Sequence, residues 1–332
     1  MNSPDLTHRK ITGDAAATAR LQHLPVSLFS VVMGLSGLTI AWRKALTIGE
    51  LNTGPATAMA ALTIGIFITI AALYLTKVVR HRDSVLAELH HPIKLNFFGT
   101  IPVSLVLLSI ISMPMSHTLA QGFWLTGVVM QFTVLMVVMN AWMHQKQFKT
   151  DHLNPAWFIP AVGNILVPLS GIDLGFVETS WFFFSVGLLF WLVLLTIVFN
   201  RILFHEPIPI KLMPTLFILI APPAIGFMSY LKLTDSYDSF AHVLYYNALF
   251  FTALLAVQFR HFLRLPFFLS SWAYSFPLAA VTTASWRMFE ITAKPGVQSI
   301  ALALLAITST VILTLFVKTA LAVSRDQICV PD

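Results

Sequence analysis

TSWFFFSVGLLFWLVLLTIVFN, residues 179–200, contains no ionisable side chain. A helix rises 1.5 Å per residue, so the run reaches roughly 30 Å, the thickness of a bilayer's hydrocarbon core. It is apolar on every face, which leaves no polar stripe for water. Working outward, apolar runs recur at 24–42, 56–79, 93–113, 118–142, 156–172, 210–231, 240–263, 268–287 and 297–321. Charged residues or Pro/Gly breaks separate them. The whole chain is 57% hydrophobic and 10% charged, with a mean hydropathy of +0.80. A soluble domain carries about 25% charged residues. Lipid is therefore the expected solvent. The predicted architecture is an all-α integral membrane protein of ten spans: a tail at 1–23, one membrane domain at 24–321, and a tail at 322–332.

The basic residues set its orientation. If all ten runs cross, one side receives Arg9, Lys10, Arg20, Lys77, Arg80, Arg82, Lys94, Lys146, Lys149, Arg201, Lys211, Arg260, Arg264, Lys318 and Arg325. The other receives Arg43, Lys44, Lys232, Arg287 and Lys294. Short cytoplasmic loops carry the excess of Lys and Arg. This predicts cytoplasmic N- and C-termini in a multi-pass protein of the cell (inner or plasma) membrane. The formal charge of +6 is spread singly over loops, so no nucleic-acid partner is expected. Residues 1–23 lack the apolar centre of a signal peptide. The single Cys329 excludes an internal disulfide and is expected to be an inert thiol.

Proline organises the runs a second time. Pro102, Pro160, Pro168, Pro214, Pro222, Pro223 and Pro277 fall inside odd-numbered runs, and none falls inside an even-numbered one. Proline removes a backbone hydrogen bond and kinks a helix. In lipid the freed carbonyl needs a partner. Inner, kinked odd helices wrapped by outer, straight even helices are therefore expected. The competing explanation is that proline is simply commoner in membrane helices.

Catalytic chemistry is missing. All acids and all histidines lie in tails, loops or span ends, and no nucleophile–base set, phosphate loop or metal-ligand spacing occurs. His90 and His91 are adjacent, which is wrong for two ligands on one helix face. No enzyme, cofactor or metal is expected. The odd runs instead carry small, weakly polar groups: Ser27, Ser30, Gly34, Ser36 and Gly37; Asn96, Gly99 and Ser104; Gly163, Asn164 and Ser170; Ser271, Ser275, Thr282 and Thr283. These could line a narrow uncharged pore, or simply let helices pack closely. Phe276, beside Pro277, could close such a pore or be ordinary packing.

Four stretches carry a family resemblance: LAELHHPIKLNFF (86–98), FIPAVGN (158–164), FHEPIPIKLMPTLFILIAPPA (204–224) and SWAYSFPLAA (271–280). In this order they resemble the tellurite-resistance/dicarboxylate transporter family, which includes bacterial TehA and the slow anion channels of plant guard cells. The resemblance implies ten helices in five hairpins, odd helices around a central pore, and a homotrimer with one pore per protomer. It implies that Phe276 is the pore gate, faced by Phe29 and by Ser30, where bacterial relatives often have glycine. Pore-lining candidates are then Phe29, Ser30, Asn96, Gly99, Pro102, Pro160, Asn164, Pro222, Ser275 and Pro277. The implied function is passive conduction of small inorganic anions such as chloride and nitrate. The alternative is a secondary carrier or efflux protein for C4-dicarboxylates, sulfite or tellurite-type oxyanions.

Overall fold

The computed structural model describes residues 20–145 and 148–329. Most of the expected N-terminal tail, and the last residues of the C-terminal one, lie outside them. The described residues form helices and connecting segments, with no strand. In chain order the helices are α1 (Val26–Ile48), α2 (Gly54–Arg80), α3 (Arg82–His90), α4 (Lys94–Ser112) and α5 (His117–His144). There follow α6 (Pro155–Gly171), α7 (Val177–Phe204), α8 (Ile210–Thr234), α9 (Ser239–Val257), α10 (269–292) and α11 (Pro295–Ser324). Among the described residues, eight of these are long and apolar enough to cross a membrane. The shorter α6 and the Ser/Thr-rich α10 fall outside that set, and α3 is a short polar helix.

Burial divides the long helices. In their apolar windows, 61, 83 and 67% of residues are buried in α1, α4 and α8, against 22% in α2 and 33% in each of α5, α7, α9 and α11. The buried helices touch in a closed ring, α1–α4–α6–α8–α10 and back to α1. Each remaining long helix packs on the ring member that precedes it and exposes its far face. Those faces carry large apolar groups such as Leu62, Leu75, Val129, Phe182, Leu189, Phe250 and Leu313. Only an apolar solvent suits so many of them.

Capping fits the local sequence. The Ser116 hydroxyl accepts the Leu119 N–H at the start of α5, and the Asp238 carboxylate accepts the N–H groups of Phe240 and Ala241 at the start of α9. Pro55 and Pro295 open α2 and α11 in the first turn, where a missing N–H costs nothing.

Apart from Pro214, which lies inside the Ile210–Ile220 segment, the inner prolines act differently from a simple mid-helix kink. Each ring helix changes type part-way along. Val26–Phe29, Gly163–Leu166, Ile210–Ile220 and Leu269–Tyr274 are 3₁₀-helical, and α4 breaks after Phe97. The following α segments begin at Ser30, Thr100, Phe158, Pro168, Ala221 and Ser275. Pro102, Pro160, Pro168, Pro222, Pro223 and Pro277 all sit within the first three residues of such a segment. There the ring satisfies the φ requirement of the turn, and no interior hydrogen bond of that segment is lost.

Several ends differ from the apolar runs. α1 continues through Arg43 and Lys44 to Ile48, and α10 continues through Arg287 to Thr292. Helical hydrogen bonding does not stop where side chains become charged. α9 stops at Val257, short of the expected 263, because the chain turns at Gln258 before a separate short helix, Phe259–Leu263.

Candidate functional site

The five ring helices enclose a narrow cavity of about 70 Å³, open to the outside at one part. Every ring helix contributes to its wall, and none of the lining side chains is ionisable. The lining positions advance in steps of three or four: Ser27, Ser30, Met33 on α1; Phe97, Thr100, Val103 on α4; Ile218, Ala221, Ile225 on α8; Ser270, Ala273, Phe276 on α10. Steps of three and four keep to one face of a helix. On α6, Ile159, Val162 and Leu166 take the same place.

The wall is mostly apolar, and three of its four hydroxyls are already engaged. Ser30 Oγ donates to the Ser27 carbonyl at 2.6 Å, and Thr100 Oγ1 donates to the Phe97 carbonyl at 2.6 Å. Ser270 Oγ donates to the Lys211 carbonyl. These groups must rotate before they can solvate an anion. Phe276 is 8% exposed and belongs to the same apolar cluster as Met33, Val103, Val162 and Leu166. Its ring helps to line the cavity with hydrocarbon.

Small residues bring α1 against α10 at this level. A Cβ added to Gly34 would lie 2.3 Å from Ser275 Oγ, and one added to Gly37 would lie 2.8 Å from Ala279 Cβ and 3.3 Å from Phe276 Cδ2. The absent side chains let the two helices touch and give the Phe276 ring its seat.

Of the gate and pore-lining candidates, Ser30, Pro222, Phe276 and Pro277 line the cavity together, and the small residues Ser27 and Gly163 join them. The others lie close by and point elsewhere. Phe29 is buried and packs edge-on to Tyr74 of α2. Asn96 donates to the Pro92 carbonyl at 3.1 Å, and Asn164 to that of Ala161 at 2.6 Å. Gly99 abuts Pro160, where α4 meets α6. Pro102 is buried in α4, and Ser275 fills the notch at Gly34. One residue of offset turns a side chain by about 100° on an α-helix, enough to move it off the lining face. Met33, Val103, Val162, Leu166 and Ile225 escaped notice because apolar residues in an apolar span carry no signal. The step of three from Ser27 and Phe97 would have found the first two.

At the opposite ends of the ring helices, charges pair across elements. Lys44 Nζ lies 2.7 Å from Glu290 Oε2, Arg287 shares that carboxylate, and Lys232 pairs with Asp173. Arg43 donates to the Ile111 carbonyl at 2.8 Å.

A family model described as SLAC1, voltage-dependent anion channel, matches residues 23–320. The chain belongs to the SLAC1 family. This SLAC1-family chain is 29% identical over 310 residues to the S-type anion channel SLAH3 of Arabidopsis thaliana, covering 90% of itself and 48% of that protein. It is 25% identical over 313 residues to the guard cell S-type anion channel SLAC1 of the same plant, covering 91% of itself and 56% of that protein. It is 23% identical over 285 residues to the tellurite resistance protein TehA homolog of Haemophilus influenzae, covering 84% and 85%. The chain spans about half the length of these two plant relatives. Family membership and the apolar helices together make it a multi-pass membrane protein.

Proposed function

We propose that this protein is a passive channel for small monovalent anions such as chloride and nitrate, closed by Phe276. The observation that carries this reading is the cavity: five ring helices wall it, no ionisable side chain lines it, and the Phe276 ring is part of its wall. A fixed charge in the path would bind an ion tightly and slow its release, so an uncharged wall suits throughput. An apolar constriction excludes water and stops ions without touching them. Opening then requires the Phe276 ring to leave the axis and the Ser30, Thr100 and Ser270 hydroxyls to turn inward. Hydroxyl donors and the positive ends of the α segments beginning at this level favour anions over cations. The names of the plant relatives support the same assignment.

In this reading ten spans form five hairpins, with Phe29 and Ser30 of α1 beside the gate. Asn96, Gly99, Pro102, Pro160, Asn164, Pro222, Ser275 and Pro277 shape the remaining wall, directly or from just behind it. Both termini face the cytoplasm, and three protomers assemble, each with its own path.

The test compares wild type with Phe276→Ala in liposomes or planar bilayers. The alanine form is expected to carry far more chloride or nitrate current, reversing at the anion equilibrium potential. Cation-selective current would overturn the reading. So would saturable, proton-coupled uptake and exchange of a dicarboxylate, sulfite or tellurite in the absence of channel current.

A further inference from the structure

We propose that Lys77 and Glu88 form a latch that fixes the N-terminal end of α1, and with it one wall of the cavity. Its effect on conduction rests on the channel reading above; its effect on the position of α1 does not.

The Lys77 side chain is 1% exposed at the end of α2. Its Nζ lies 3.0 Å from Glu88 Oε1 on α3 and donates to the Leu24 carbonyl at 2.8 Å. The Tyr74 hydroxyl donates to the other Glu88 oxygen at 2.8 Å. One ammonium group thus joins an outer helix, a short surface helix and the backbone just before α1. Two residues beyond Leu24 begins the 3₁₀ turn Val26–Phe29, which holds Ser27 and leads to Ser30 of the wall. The Tyr74 ring also packs against Phe29 and Phe98, reaching α1 and α4 together. By contrast, Lys44–Glu290 and Lys232–Asp173 are partly exposed to solvent.

The chemistry is informative because it is dispensable for simple stability. A buried ion pair is often no better than apolar side chains of the same volume. What apolar side chains cannot supply is a directed bond to one carbonyl. Farther along, α1 is held on α10 by shape, at Gly34 and Gly37. At its beginning, Lys77 holds it by charge. Glu88 is the counter-ion, so displacement of α3 leaves Lys77 unpaired and releases Leu24. The device couples a surface helix to the pore wall.

The experiment uses the full chain with Cys329→Ser and a reporter Ser27→Cys, modified by a water-soluble methanethiosulfonate in detergent or liposomes. A second reporter, Ala273→Cys, sits on the adjoining wall in α10, which the latch does not touch. The pair is replaced by Lys77→Met with Glu88→Leu, and melting is followed in parallel. The expected result is a rise of roughly fivefold or more in the Ser27→Cys rate, with little change at Ala273→Cys or in melting. An unchanged Ser27→Cys rate, or an equal rise at both reporters, overturns the latch. Glu88→Gln, which keeps the shape and removes the charge, is measured alongside. An unchanged Ser27→Cys rate there overturns the proposal even if the double variant does not fold. The modification rates need no ion flow, so failure of Phe276→Ala to conduct would sink the channel reading and leave the latch to be judged by its own data.

Discussion

A methyl group added to Gly99 tests the closest backbone approach in the ring. The Cβ would lie 2.9 Å from both Cα and N of Pro160, and 3.1 Å from the carbonyl carbon of Ile159. Carbon atoms rest about 3.5–4.0 Å apart, so α4 and α6 must separate by roughly 0.5–1 Å. The obstructing atoms are backbone and cannot rotate aside. Overpacking of this kind costs about 1–3 kcal/mol. Replacing glycine by alanine inside a helix returns about 0.5–1 kcal/mol. Gly65 of α2 is the control, because nothing lies within 4 Å of a Cβ placed there. Gly65→Ala is expected to stabilise by about 0.5–1 kcal/mol, with Gly99→Ala about 1–3 kcal/mol below it. Thermal and denaturant unfolding in one detergent, followed by tryptophan fluorescence, measures both. If Gly99→Ala matched Gly65→Ala, the packing of α4 on α6 would be refuted. Thr100 is the next residue and lines the cavity, so the same displacement is expected to alter anion flux.

Three further outcomes are expected. Ala293 ends α10 in the left-handed region at φ +52, so Ala293→Gly is expected to stabilise the protein by about 1 kcal/mol in the same unfolding assay. The buried Trp124 indole donates to the Val167 carbonyl at 3.0 Å, an oxygen that also accepts the Gly171 N–H; Trp124→Phe removes one of its two bonds and is expected to cost about 0.5–1.5 kcal/mol. The Tyr230 hydroxyl, followed by the Ala241 N–H, holds the Asp238 carboxyl below its usual pKa. A carboxyl lowered in the folded state stabilises fully above its unfolded pKa, and that stability fades as pH falls through the folded value. Wild type is therefore expected to lose more stability than Asp238→Asn on acidification below about pH 4. Equal losses would show that Asp238 contributes no pH-dependent stability.

Much of the architecture is legible in the sequence because lipid imposes its rules locally. Each spanning segment must be apolar and must satisfy its own backbone, so runs such as 179–200 declare themselves without reference to any partner. The proline rhythm separates the ring helices from their covers for the same reason. The four family stretches carry the SLAC1 membership. Phe276 and Ser30 are legible through that resemblance, since a phenylalanine in an apolar span is otherwise indistinguishable from packing.

Tertiary structure decides what depends on angle and on distant partners. The lining face follows from how packing in the ring turns each helix about its own axis, which sets a side chain's direction while its place along the chain stays the same. Hence Phe29, Asn96 and Ser275 stand beside the cavity while Met33, Val103 and Ile225 face it. Lys77 and Glu88 look like ordinary span-end and loop charges in the sequence. Only the folding of α3 against α2 and α1 buries them together, because a charge leaves water when partners from elsewhere in the chain replace its hydration. Composition and spacing determined that this chain lives in a membrane and where its helices run; the mutual rotation of those helices determined which atoms meet in the middle.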